Sequence, residues 1–200
     1  MKRLQHGVLL VLFLPALALS ALGQSAPQDA PEKGGHEVQV WAGGGHSVSG
    51  GTHDTGVFNV GLRYGWVLTG SHGPALLKGN FEYAVDAVPA FVVFQPANTA
   101  YGFGVNPLGL KWNFVPRGRF VPYFELGGGT LFTTHKVPPG TSAANFTSTA
   151  ALGFHHIGEK VTWSLDIRYM HISNAGLTAL NPGINTVQVR IGVGAFKAHH

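Results

Sequence analysis

In the stretch "VTWSLDIRYM", residues 161–170, apolar and polar side chains alternate: Val161, Trp163, Leu165, Ile167 and Tyr169 against Thr162, Ser164, Asp166 and Arg168. A period of two belongs to an extended strand, whose side chains point alternately to opposite faces. The segment is therefore a strand with one oily and one polar face. "VFNVGLRYGWVL" (57–68), "LKGNFEYAVDA" (77–87) and "TVQVRIGVGAF" (186–196) repeat the pattern. Four further segments read as strands: "VQVWAGGG" (38–45), "YGFGVNPLGLKWNFV" (101–115), "RFVPYFELGGGTLF" (119–132) and "NFTSTAALGFHH" (145–156). In the second of these the alternation slips at Asn106–Pro107, which predicts a bulge or bend.

The content of the polar face narrows the architecture. Arg63, Glu82, Asp86, Lys111, Glu125, Asp166, Arg168 and Arg190 lie on it mid-strand, with both signs present. Inside a small closed barrel such groups can pair with one another while the apolar side faces lipid. A soluble lipocalin-like barrel needs the reverse, and parity alone does not say which face is inside. The connections favour the membrane reading. Segments 46–55, 88–100, 133–144 and 174–185 are longer than 69–76, 116–118 and 157–160, an alternation expected when both termini lie in the periplasm. The expected fold is all-β, an eight-stranded antiparallel outer-membrane β-barrel over residues 37–200. Its interior charges form a packing network, since eight strands leave little lumen. Phe196 fits the aromatic that such barrels often carry near their carboxyl end.

Residues 1–23 read as a secretory signal peptide: Lys2 and Arg3, the apolar run "GVLLVLFLPALALSAL", then small residues before a cleavage site. Residues 24–36 read as a flexible lead-in. With no cysteine, disulfides and thiolate chemistry are excluded. A formal charge of +4 without a Lys/Arg cluster argues against a nucleic-acid partner. His155 and His156 point to opposite faces of a strand and do not chelate one ion together; no metal or cofactor is expected there or at His199–His200. His46, His53, His72 and His135 read as solvated rim residues. The glycines of "GGGHSVSGGTHDTG" (43–56) precede no helix, which removes a phosphate-cradling loop.

The remaining stretch, "HISNAGLTALNPGIN" (171–185), carries the chemistry. Counting in steps of two from Trp163 puts His171 and Ser173 on the oily, outward face at the outer rim. Asn185 shares the outward parity of Val187, Val189 and Ile191. Polar groups set among acyl chains cost free energy unless they find partners. The pattern His171-x-Ser173-Asn174-Ala175-Gly176-Leu177, followed by Asn181, Gly183 and Ile184, resembles the lipid A 3-O-deacylase (PagL) family of outer-membrane barrels. "PYFELGGG" (122–129) resembles that family's strand before its third external loop. The resemblance implies a carboxylic ester hydrolase acting on lipid A of lipopolysaccharide in the outer leaflet. Ser173 is the implied nucleophile and His171 its general base, close enough for a hydrogen bond. Asn174, with backbone N–H groups near Ala175 and Gly176, is the implied oxyanion support, and Asn181 a supporting loop residue.

One position departs from the family. Asn185 stands where the pattern has glutamate. An amide can orient the histidine but stabilises the imidazolium far less than a carboxylate, a loss of about 10²–10⁴ in rate. Glu125 and Asp166 have interior parity and Glu159 lies at the periplasmic end, so none replaces it. Restoring glutamate at 185 is expected to raise a weak activity. The competing reading is a non-catalytic small outer-membrane barrel whose loop serves structure or lipid contact.

Overall fold

The computed structural model describes residues 31–198. The signal-peptide segment, the first part of the lead-in and His199–His200 lie outside the described residues. Eight antiparallel strands close into one barrel: β1 (His36–Val48), β2 (Gly56–Val67), β3 (Gly79–Phe94), β4 (Thr99–Phe114), β5 (Phe120–Thr133), β6 (Ala144–Ile157), β7 (Thr162–Ser173) and β8 (Ile184–Lys197). Each strand pairs with its sequence neighbours, and β1 pairs with β8 from His36↔Lys197 to Val48↔Asn185 to complete the ring. Pro31–Gly35, the last part of the lead-in, is already fastened to the barrel: Gly34 N–H donates to Val67 O and Asn80 Nδ2 to Pro31 O.

The wall is oily outside and charged inside. Leu62, Leu126, Leu152, Ile167, Val189 and Ile191 are exposed, whereas Arg63, Glu125, Asp166, Arg168 and Arg190 are buried. That polarity excludes the lipocalin-like arrangement and is the one a lipid-facing barrel requires. Outward aromatics gather at both ends. Tyr64, Trp66 and Tyr83 pack edge-to-face or stacked near the chain termini. Phe103 and Phe132 pair near the opposite end, with Phe94, Tyr101 and Phe146 also exposed there. Such girdles mark the two interfacial levels of a bilayer.

The lumen is filled in layers. Toward the termini Lys111 Nζ donates to Glu37 (2.5 Å) and Glu82 (3.0 Å). In the middle, Arg63 is bidentate to both Asp86 and Glu125, Arg168 donates to Glu125 and Asp166, and Arg190 to Asp166. Toward the far end the polar network gives way to an apolar plug that includes Trp41, Val88, Phe91, Leu131, Met170, Ile172 and Ile184. The network expected from the polar face is present, and at the far end the buried apolar residues are interleaved with Asn59, Thr147, Thr186 and Gln188.

Two connections differ from expectation. The segment 88–100 is mostly strand, and only 95–98 turns between β3 and β4. A register shift between Val88 and Phe91 reverses the alternation, so "AFVVF" shows inward Phe91 and Val93 where the outward set had been counted. Pro89 sits in this irregularity, where a residue lacking an N–H donor is tolerated. Conversely 68–78 is long and contains a 3₁₀ turn at Ala75–Leu77. Long and short connections therefore do not strictly alternate. The slip at Asn106–Pro107 is found as expected, between Val105 and Leu108.

Candidate active site

β7 carries two separate sets of residues. Asp166, Arg168, Met170 and Ile172 point into the lumen; Ile167, Tyr169, His171 and Ser173 point outward. Ile172 pairs with Ile184, and both are fully buried in the plug. Their neighbours His171 and Asn185, also paired across β7 and β8, are thereby held on the outer wall. Ser173 pairs with Phe146 of β6, an exposed member of the aromatic girdle. The three polar residues thus stand together at interfacial depth, with the outward parity read from the sequence.

His171 Nδ1 lies 2.6 Å from Asn185 Oδ1. An amide oxygen only accepts, so this contact calls for a proton on Nδ1, which in the neutral ring leaves the lone pair on Nε2. The contact is made by Asn185, at the position where the resemblance implies glutamate. The expected Ser173–His171 hydrogen bond is not formed: among the described residues Ser173 Oγ has no hydrogen-bond partner. Ser173 and His171, the implied nucleophile and base, share a face two residues apart; catalytic hydrogen bonds are often long in structures without substrate.

The loop 174–183 is held together by two of the implied support residues. Asn174 is buried, and its amide is fully used: Nδ2 donates to Thr178 Oγ1 (2.8 Å) and Leu180 O (2.9 Å), while Oδ1 accepts from Gly176 N–H (2.9 Å). Here it staples the loop, with both amide protons donated within it. Asn181 Oδ1 accepts from Asn174 N–H at 3.1 Å, consistent with the supporting place given to it. The turn they hold puts Ala175 at φ 51° and Gly176 at φ 84°. With Gly176 N–H taken, Ala175 N–H is left without a partner among the described residues.

Glycine at 183 has a specific reason. Its φ is +68°, and a Cβ there would lie 2.7 Å from His171 Cε1. Gly183→Ala is expected to displace the imidazole and lower kcat by about 10- to 100-fold, with KM little changed. Steady-state kinetics on folded protein checks this. Glu125 and Asp166 lie in the lumen network and Glu159 pairs with Arg119 at the terminal end, so none of the three reaches the site. His155 points inward to Ser164 Oγ (2.9 Å), and His156 packs outward on Phe120.

One contributor escaped sequence reasoning. Ser49 and Gly50, in the connection 49–55, accept from Asn185 Nδ2 at 3.3 and 2.7 Å. Thr52 N–H also donates to Gly183 O at 2.9 Å, tying this connection to the 174–183 loop. The glycines at 50 and 51 were visible in the sequence. Their neighbourhood follows only from the closure of β1 on β8, which sets Val48 opposite Asn185.

The profile of the lipid A 3-O-deacylase (PagL) family matches residues 58–194, which take in most of the barrel and His171, Ser173 and Asn185 but not the connection 49–55. The chain belongs to that family. Among solved structures it is similar to the outer membrane enzyme PagL, at 19% identity and TM-score 0.61 over 77% of this chain and 97% of that one. This PagL-family barrel also resembles two other outer-membrane barrels. OprG from Pseudomonas aeruginosa matches at 14% identity and TM-score 0.52, over 86% of this chain and 100% of that one. Neisserial surface protein A matches at 14% and 0.50, over 82% and 97%. Likeness at this level of identity speaks for the fold, that of outer-membrane barrels. No curated protein matches the sequence.

Proposed function

We propose that the protein is a serine esterase of the outer membrane that removes an ester-linked acyl chain from lipid A. The observation carrying this reading is the His171–Asn185 contact on the lipid-facing wall, with Ser173 on the same face at the level of the aromatic girdle. Ester bonds between a sugar headgroup and its acyl chains lie at that depth. The chain to be removed can stay beside Phe146, Tyr169 and Ile167 while its carbonyl meets Ser173.

His171 Nε2 takes the Ser173 hydroxyl proton as Oγ bonds to the ester carbonyl carbon. Ala175 N–H is the donor available to the developing oxyanion. The carbon–oxygen bond to the sugar then breaks, and His171 returns the proton to the departing alkoxide. Water, deprotonated by the same histidine, attacks the acyl-serine and releases the fatty acid. Asn185 holds the Nδ1–H tautomer throughout. It supplies orientation without negative charge, so slow turnover is expected for an enzyme of this kind.

Expression in a Gram-negative host whose lipid A is fully acylated tests the proposal. Mass spectrometry is expected to show lipid A lighter by one acyl group, with the matching free fatty acid, in cells carrying the gene and not the empty vector. Identical acylation in both would favour the non-catalytic barrel.

A further inference from the structure

We infer that the backbone of Ser49 and Gly50 acts as a positioning device that selects a neutral amide, not a carboxylate, as the orienting group at position 185. This inference rests on the esterase reading for its kinetic consequences, and on the geometry alone for the orientation itself.

The amide of Asn185 is held at both ends. Nδ2 donates to two backbone carbonyls, Ser49 O at 3.3 Å and Gly50 O at 2.7 Å, and Oδ1 faces His171 Nδ1 at 2.6 Å. Turning the amide over would set its oxygen against two carbonyl oxygens, which cannot donate to it. Only one orientation satisfies all three neighbours. Asn185 is itself buried, so water does not readily take over the lost contacts. A carboxylate at this position would face the same two carbonyl oxygens with acceptors only. The connection 49–55 therefore stands to repel the very group whose charge would help the imidazolium. The expectation that glutamate at 185 raises activity does not follow from this geometry.

Gly50 is what lets the backbone come so close. It has φ +97°, and a Cβ on it would lie 2.8 Å from Asn185 Nδ2. Thr52 N–H on Gly183 O fixes the same connection to the loop that walls the imidazole. The device thus runs from Gly50 through Asn185 to His171, with no side chain of 49–55 touching the reacting atoms.

A double-mutant cycle in the full-length protein, folded in detergent, separates this role from a merely structural one. Gly50→Ala is expected to lower kcat about tenfold with KM unchanged. In the Asn185→Ala background the same substitution is expected to change kcat less than about twofold, because the group it positions is gone. Equal losses in both backgrounds would reduce Gly50 to a turn residue and overturn the inference. Asn185→Asp and Asn185→Glu are both expected to fall below wild type; either one exceeding it overturns the amide selection.

A second measurement does not depend on turnover. In ¹⁵N-histidine NMR, with the His171 signals assigned by loss in His171→Gln, wild type is expected to show the Nδ1–H tautomer. Asn185→Ala is expected to move it toward Nε2–H, and Gly50→Ala to move it part of the way. A wild-type Nε2–H tautomer ends the proposal even in an active enzyme. Wild-type turnover no greater than that of Ser173→Ala ends the esterase reading, while the NMR arm still decides the orientation.

Discussion

Ser173→Ala is expected to abolish measurable acyl release, with the barrel folding as before. Removing a nucleophile that works as a unit with its base costs a serine hydrolase about 10⁶-fold in kcat. A loss of that size is expected to reach the background of the assay. His171→Ala is expected to fall as far, and the Ser173→Ala/His171→Ala double variant no further, since proton acceptor and nucleophile contribute only together. All three should retain the heat-resistant, fast-migrating form of a closed barrel in gel electrophoresis. Neither side chain fills the lumen, where β7 instead contributes Met170 and Ile172. Lipid A mass spectra and release of a fatty acid from detergent-dispersed substrate give the rates. Independent, additive losses for Ser173 and His171 would contradict a shared proton transfer.

The extent to which the sequence discloses this molecule follows from what period two can and cannot encode. Parity placed Asp166 and Arg168 on one face and His171 and Ser173 on the other, because along an uninterrupted strand the count never slips; the paired charges of the first face marked it as the interior. It failed in β3, where the shift between Val88 and Phe91 exchanges the two faces and made a continuing strand read as a loop. The pairing of His171 with Asn185 was foreseeable, since β7 and β8 are adjacent and joined by one connection. The contact of Gly50 with Asn185 was not, because it joins the first connection to the last strand across the seam that closes the barrel. The contacts of Asn174 were hidden for a related reason: an asparagine beside an implied nucleophile suggests an oxyanion donor. Whether its amide is already committed to Thr178 and Leu180 is a matter of loop conformation.

The same two faces make stability and chemistry separable, and Glu125 shows the other side. Its carboxylate accepts from Arg63 (2.5 and 2.9 Å) and Arg168 (3.0 Å), and Arg190 lies 3.6 Å away. With Asp86 and Asp166 it balances three guanidinium groups against three carboxylates, none of them more than slightly exposed. Glu125→Gln keeps the shape and removes one negative charge, leaving the buried cluster with a net positive charge and an NH₂ facing arginines. Breaking a buried ion pair from one side costs about 3–5 kcal/mol, because the partner's desolvation remains unpaid. Unfolding in urea with lipid vesicles present is expected to show that loss, with kcat of the remaining folded protein within about twofold of wild type. Adding Arg63→Gln is expected to recover part of it, since two guanidinium groups then face two carboxylates. A stability for Glu125→Gln within about 0.5 kcal/mol of wild type would mean that water entering the lumen has screened the cluster. The plug of Phe91, Leu131, Ile172 and Ile184 is placed to prevent that from the site end. Through Ile172 and Ile184 the same plug holds the backbone from which His171 and Asn185 project outward.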